Sequence, residues 1–319
     1  MNGQNGHTSS SVPAAGVWAP AITFFDPETD ELDLDSQAKY YKYLSQHLTG
    51  LVILGTNAET FLLTREERAA LLKTAREAVG PEYPIMAGVG GHSTKQVLEY
   101  INDAAEAKAN YALVLPCAYF GKATTAKVIT NFYDEVAAKS PLPIVIYNFP
   151  GVCNGIDIES DTMAALAHKH PNVVGVKLTC ASVGKITRLA ADFSNSRFAI
   201  FGGQSDFLLG GMAVGSAGCI AAFANVFPKS IKRIYDLYRE GKHEEAMKMH
   251  RVAALAESLS KSGIANTKFA ASLTSARSAG VEGAEEKLRP RRPYEAPSAE
   301  VKEGIRGKMK EMMGIEESL

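Results

Sequence analysis

Eight short runs of apolar, largely β-branched residues recur along the chain, beginning near Gly16, Gly50, Tyr83, Tyr111, Pro143, Val173, Phe198 and Ala217. Several, such as YALVLPC and PIVIYNFP, are apolar almost throughout rather than alternating. Parallel strands covered on both faces read this way. Amphipathic helical patterns fill most of the gaps, and two carry start signals. Thr64 with Glu67, ahead of RAALLKTAREAV, and Ser93 with Gln96, ahead of VLEYINDAAEA, are both spelled as capping boxes. Residues 36–47 and the segment after Pro228 also read as helices. Alternating strand and helix implies a parallel sheet with helices outside it, and eight such units favour closure into an α/β (β/α)8 barrel.

The barrel, residues 14–241, is expected to end near Gly241, after KSIKRIYDLYRE. Residues 242–319 carry no strand signal and read as a C-terminal helical extension: HEEAMKMHRVAALAESLS, GIANTKFAASLTSARSAG and, past a proline-broken stretch, VKEGIRGKMKEMM. It is too short for a second domain and is expected to pack on the barrel or on a neighbouring subunit. Residues 1–13, small and polar, read as a disordered tail.

Composition then narrows the partners. A chain of 319 residues with 46% hydrophobic and 22% charged residues suits a globular enzyme with a sizeable core. A formal net charge of -1 argues against nucleic acid or an anionic membrane surface as partner. No apolar run is long enough to span a bilayer. Cys117, Cys153, Cys180 and Cys219 lie far apart without a C-x-x-C pair, so they are read as reduced thiols of an intracellular protein. With no secretory h-region at the start and no address in GIEESL at the end, the expected location is cytoplasmic.

In (β/α)8 enzymes the reactive groups stand at the C-terminal ends of the strands. Lys177 interrupts NVVGVKLTC, a run otherwise apolar enough to be buried, and no other lysine falls within the eight strands. An unpartnered buried ammonium is costly. Desolvation favours the neutral amine, which is the form that attacks a carbonyl. The structural alternative is an outward-pointing or carboxylate-paired lysine. Tyr147, near the end of the fifth strand and adjacent in strand order to Lys177, offers a phenol for proton transfer; taken alone, a strand-end tyrosine is more often a packed aromatic with a satisfied hydroxyl. Gly55-Thr56-Asn57 offers backbone N–H groups, a hydroxyl and an amide that suit a carboxylate, or an ordinary strand-to-helix turn. His7, His47, His92, His168, His170, His243 and His250 show no ligand spacing, so no metal site is expected. Neither Gly88–Gly91 nor Gly202-Gly203 fits a nucleotide fingerprint, and no G-x-S-x-G elbow occurs. The cysteines are read as structural.

Taken in order, GTNAE, PCAY, YNFP and GVKLT on strands two, four, five and six resemble the dihydrodipicolinate synthase / N-acetylneuraminate lyase superfamily. FGGQSD and GSAGCIAAFANVFP resemble its seventh and eighth strand regions, so the likeness runs from about Gly16 to Pro228. The resemblance implies a (β/α)8 lyase, usually a homotetramer (a dimer of dimers). Such enzymes hold pyruvate or another 2-oxo acid as a lysine Schiff base, without metal or organic cofactor. It assigns Lys177 as the Schiff-base lysine and Tyr147 as the tyrosine of Y-N-x-P. Thr56 and Asn57 fall where the family binds the carboxylate and relays protons. Tyr119 matches the tyrosine that completes the relay, often across a subunit interface, although PCAYF departs from the common P-Y-Y spelling. Gly202 and Ile220 fall at positions flanking the bound acid.

Dihydrodipicolinate synthases carry an arginine shortly after Y-N-x-P, where this chain has Gly151-Val152-Cys153-Asn154-Gly155. Without a bidentate guanidinium, an anionic second substrate is poorly held, and a neutral hydroxylated aldehyde is the better expectation. GVWAP, TFF and YNFPGVCNGID resemble fungal sugar-acid aldolases. That likeness implies cleavage of 2-keto-3-deoxy-L-galactonate to pyruvate and an aldehyde such as L-glyceraldehyde. The alternatives are dihydrodipicolinate synthase, 4-hydroxy-2-oxoglutarate aldolase or, from another class, a non-catalytic 2-oxo-acid-binding protein.

Overall fold

The computed structural model describes residues 12–319, and the bulk of the expected N-terminal tail, with His7, lies outside the described residues. Eight strands form a closed, wholly parallel barrel: β1 Gly16–Pro20, β2 Gly50–Ile53, β3 Ile85–Gly88, β4 Tyr111–Val114, β5 Ile144–Asn148, β6 Val173–Leu178, β7 Ala199–Gly202 and β8 Gly218–Ile220. Helices follow the strands in turn: α1 Leu34–Ser45, α2 Arg65–Val79, α3 Thr94–Glu106, α4 Ala126–Lys139, α5 Ser160–Lys169, α6 Val183–Asp192, α7 Leu208–Ala213 and α8 Pro228–Arg239. The expectation of a (β/α)8 barrel is met. Every strand residue is buried, which is why the strands read as continuous apolar runs instead of alternating ones.

Two apolar groups divide the strand faces. Val17, Ile53, Ile144, Ile146, Val176 and Leu178 face the helices, while Trp18, Val52, Met86, Val145 and Phe201 fill the barrel. Trp18 meets Tyr111 and Phe201 edge-on, with ring centroids 6.2 and 6.3 Å away. Its indole N–H donates to the Ala14 carbonyl at 3.0 Å. Val12 and Pro13, expected in the tail, are buried, and Val12 packs in this inner group. Val12 and Pro13 therefore belong to the packed fold. β2 comes close to the same indole: a methyl group on Gly50 would lie 2.3 Å from the Trp18 ring.

Both predicted helix starts are found, one of them only in half. Thr64 and Glu67 form a reciprocal capping box. Ser93 accepts from the Gln96 amide N–H, but the Gln96 carboxamide accepts instead from the His92 N–H and donates to the Tyr100 hydroxyl. Past the barrel come α9 His243–Ser260, α10 Ile264–Leu273, α11 Ser275–Ser278, α12 Ala284–Lys287 and α13 Ala299–Ser318. The expected helix over GIANTKFAASLTSARSAG breaks at Thr274, whose hydroxyl donates to the Val226 carbonyl at 2.8 Å, tying the break to the barrel.

Gly50→Ala is expected to destabilise the fold by at least about 1–3 kcal/mol, because the added methyl overpacks a ring with no room to move. Urea unfolding followed by Trp18 fluorescence measures this. An unchanged midpoint would refute the packing described for the barrel interior.

Candidate active site

Lys177 reaches the barrel interior by an irregularity in β6. Val173 pairs with Ile144, but Val145 pairs with Gly175, so β6 carries one extra residue at Val174. Such a bulge re-aims the side chains beyond it. Val174 packs inside the barrel and Val176 outside, which turns Lys177 inward opposite its register partner Tyr147. Both side chains are buried, at 2% and 3% exposure. The Lys177 Nζ donates to the Tyr147 hydroxyl at 3.1 Å and stands 4.2 Å from that ring's centroid. The Thr56 hydroxyl lies 3.3 Å from the same phenol oxygen. Among the described residues no carboxylate pairs with Lys177, so its amine is held by a phenol alone.

Thr56 and Asn57 stand in a single 3₁₀ turn, Thr56–Ala58, that follows β2. The Asn57 carboxamide, part-exposed, makes no hydrogen bond among the described residues. Gly202 ends β7 beside Leu178, and Ile220 ends β8 inside the barrel. The structure thus brings Lys177, Tyr147 and Thr56 into contact and sets Gly202 and Ile220 on neighbouring strand ends. It does not bring Tyr119 to them within one chain. That side chain is 71% exposed, and its ring meets His92 at 5.6 Å and Phe120 at 5.3 Å.

Several supporting residues escaped sequence reasoning. Asn148 turns away from the barrel and donates to Asp157 at 2.6 Å, and accepts from the Ile158 N–H at 3.0 Å. The buried Lys185 of α6 donates to Asp157 at 2.6 Å and to the Ile158 carbonyl at 2.7 Å. This network anchors the strand end that carries Tyr147. Below the turn after β7, the Ser205 hydroxyl donates to the buried Glu257 of α9 at 2.6 Å, and His250 meets the Ser205 carbonyl at 2.8 Å. Burial lifts the Glu257 carboxyl to about 7, with the Ser205 hydrogen bond opposing and Asp206 adding to the rise. A helical periodicity that placed these polar residues on buried faces would have flagged them.

Burial pushes the thiols of Cys117, Cys153 and Cys219 up, consistent with structural roles. Two histidines have carboxylate partners: the exposed His168 with Asp192 at 2.8 Å and the largely buried His170 with Asp134 at 2.7 Å. No group of three or more His, Cys, Asp or Glu side chains suited to a metal occurs among the described residues. Among these residues, too, no helix is long and apolar enough to cross a membrane.

The dihydrodipicolinate synthetase family model matches residues 13–311. A Coccidioides immitis (strain RS) protein named as a mitochondrial 4-hydroxy-2-oxoglutarate aldolase is 67% identical over 97% of this chain and 98% of its own length. The L-threo-3-deoxy-hexylosonate aldolase of Aspergillus niger is 35% identical over 95% of this chain and 96% of that one. A solved structure of a dihydrodipicolinate synthase family protein from Coccidioides immitis superposes with a TM-score of 0.92 at 63% identity, covering 97% of this chain and 99% of that one. The chain belongs to the dihydrodipicolinate synthetase family and is an aldolase, a lyase, which sets aside the non-catalytic alternative.

Because Glu257 holds its proton to about pH 7 when folded, against an ordinary value of 4.5, its contribution to stability is greatest below pH 4.5 and is lost as the pH rises toward 7. Glu257→Gln is expected to flatten the fall in melting temperature across that interval. Parallel melting curves against pH for the two proteins would contradict this.

Proposed function

We propose that the chain is a class I aldolase that forms a Schiff base between Lys177 and the C2 carbonyl of a 2-keto-3-deoxy sugar acid. The observation that carries this reading is the buried Lys177 amine, 3.1 Å from the Tyr147 hydroxyl and with no carboxylate partner among the described residues. Tyr147, with Thr56 behind it, passes protons as the carbinolamine forms and loses water. The resulting protonated imine draws the electrons of the C3–C4 bond as it breaks, and the substrate C4 hydroxyl gives up its proton to become the aldehyde. The pyruvate enamine left on Lys177 is protonated at C3, and water hydrolyses the imine to free pyruvate and the lysine. The imine itself supplies the electrophilic pull, so the cycle calls for no metal or organic cofactor. The turn at Thr56 and Asn57 offers donors for the substrate carboxylate, and Gly202 and Ile220 flank it.

The exposed aromatic row of Phe61, His92, Tyr119 and Phe120 suits a contact between copies of the chain. There Tyr119 would enter the neighbouring site of a homotetramer, a dimer of dimers. The name of the Coccidioides relative places that protein in the mitochondrion, which weighs against the cytoplasmic expectation.

Above Thr56 lies a cavity of about 490 Å³ whose walls include Phe61, Leu62, Val152, Ile264 and Tyr294 and no lysine or arginine. Val152 occupies the stretch where a synthase would present its arginine. An uncationic, mostly apolar entrance favours a neutral hydroxylated aldehyde, so 2-keto-3-deoxy-L-galactonate, releasing L-glyceraldehyde, is the proposed substrate. A second reading, 4-hydroxy-2-oxoglutarate, is favoured by the name of the relative at 67% identity.

Borohydride reduction in the presence of pyruvate is expected to add one pyruvate-derived group to the peptide carrying Lys177, and an unmodified Lys177 would refute the Schiff base. Tyr147→Phe is expected to lower kcat by about 10²–10⁴-fold, the usual worth of a positioned proton-transfer group, with Lys177 still in place. A condensation assay of pyruvate against L-glyceraldehyde, glyoxylate and aspartate semialdehyde separates the substrates. Preference for L-glyceraldehyde is expected; preference for glyoxylate would favour the second reading, and preference for aspartate semialdehyde would refute the argument from Val152.

A further inference from the structure

The turn bearing Thr56 is fastened by an ion pair that closes far from it in sequence. Glu59 caps that turn in the left-handed region, at φ 57°, a conformation that L side chains adopt at a cost. Its carboxylate is split between two segments of the C-terminal region. One oxygen accepts from the Lys268 Nζ of α10 at 2.5 Å, the other from the Arg291 backbone N–H at 2.8 Å. Lys268 also donates to the Arg289 carbonyl at 2.9 Å and lies 4.6 Å from the Phe25 ring centroid. Both charged side chains are buried, at 5% for Glu59 and 0% for Lys268. Arg291 extends the tie to the start of α2 through Glu67, at 2.6 Å.

Such a pair is a poor source of stability. Withdrawing two charges from water costs several kcal/mol per ion, and apolar residues of similar volume often serve the fold as well or better. Burial pushes the Lys268 ammonium down against the pull of Glu59, the sign of that cost. What apolar residues could not supply is direction. The carboxylate fixes two donors from different segments at once, three residues from the hydroxyl that touches Tyr147. Among the described residues the turn is also tied at its backbone by the Thr23 hydroxyl, which donates to the Ala58 carbonyl at 2.8 Å. That bond holds the backbone on the β1 side and leaves the Glu59 end to the pair.

We propose that Glu59 and Lys268 are positioning residues for the Schiff-base site: their ion pair, closed by the Arg289–Arg291 backbone, sets Thr56 against Tyr147 and makes the C-terminal region part of the catalytic apparatus. The proposal rests on the reading of Lys177, Tyr147 and Thr56 given above. It assigns the C-terminal helices a task beyond covering the barrel, since the same segments that form the outer wall of the cavity at Ile264 and Tyr294 also orient its floor at Thr56.

The test is the full-length double variant Glu59→Gln/Lys268→Met, which removes both charges together and so leaves no unpaired ion buried. Its melting temperature is expected to stay within a few degrees of wild type. The KM for pyruvate in the condensation assay should rise about tenfold or more and kcat should fall, while amide hydrogen exchange quickens in the peptide covering residues 56–59. Wild-type exchange there together with wild-type kcat and KM would overturn the proposal. If the double variant does not fold, Lys268→Arg replaces it, keeping the charge but displacing the carboxylate. A raised KM at an unchanged melting temperature supports positioning, and wild-type kinetics with wild-type exchange refute it. Failure of borohydride and pyruvate to label wild-type Lys177 would refute the Schiff-base reading instead, and the exchange measurement still decides whether the pair orders the turn.

Discussion

An amine taken out of water, with no counter-charge paired to it among the described residues, is the constraint around which this molecule is arranged. Lys177 stands inside a closed barrel and is met by the Tyr147 phenol, so its surroundings must tolerate a polar head among apolar side chains. That is achieved by register. The extra residue at Val174 rotates β6 so that the lysine faces inward just where β5 presents the tyrosine. Strict alternation from Val174 would have aimed Val176 into the barrel and Lys177 at the helices. Asn148, Asp157 and Lys185 then hold the outer side of the same strand end, so the two inward groups meet through rigid backbone.

Much of this was legible in the sequence because parallel strands make neighbours in sequence order neighbours in space. Tyr147 on the fifth run and Lys177 on the sixth had to be adjacent if the sheet was parallel, and Thr56 follows from closure of the barrel. The bulge was not legible, since Val174 and Val176 are both apolar and either fits the interior. Glu59 and Lys268 were invisible as a pair because 209 residues separate them, although a lysine within the apolar helix IANTKFAASL was a signal of the same kind as Lys177. The break at Thr274 hid in an unbroken helical pattern, because its cause is a hydrogen bond to the remote Val226 carbonyl. Tyr119 matched by motif yet lies exposed, which no single-chain pattern reveals.

Three of the buried polar contacts outside the barrel share one arrangement. Lys185 with Asp157, Lys268 with Glu59, and Glu257 with Ser205 each tie a strand-end loop at the barrel mouth to a helix. Loops are ordinarily the least ordered parts of such a fold. Here the desolvated polar contacts gather where the chain must be most exactly placed, and two of the three draw their helical partner from beyond the barrel.

The indole at the barrel's centre has a bearing on traffic. Trp18, edge-on to Tyr111 and Phe201 and in one apolar group with Val12, fills the barrel interior with large side chains and leaves the strand-end mouth as the approach to Lys177 on the proposed mechanism. In a cleavage cycle through a Schiff base this turns the site into a blind alley with an enforced order of departure. The aldehyde, nearer the opening and held by no covalent bond, has to leave first. On the proposed cycle, water then enters along the same path and hydrolyses the imine once the enamine has been protonated, so a filled barrel floor would keep water from the lysine-bound fragment until the aldehyde has gone.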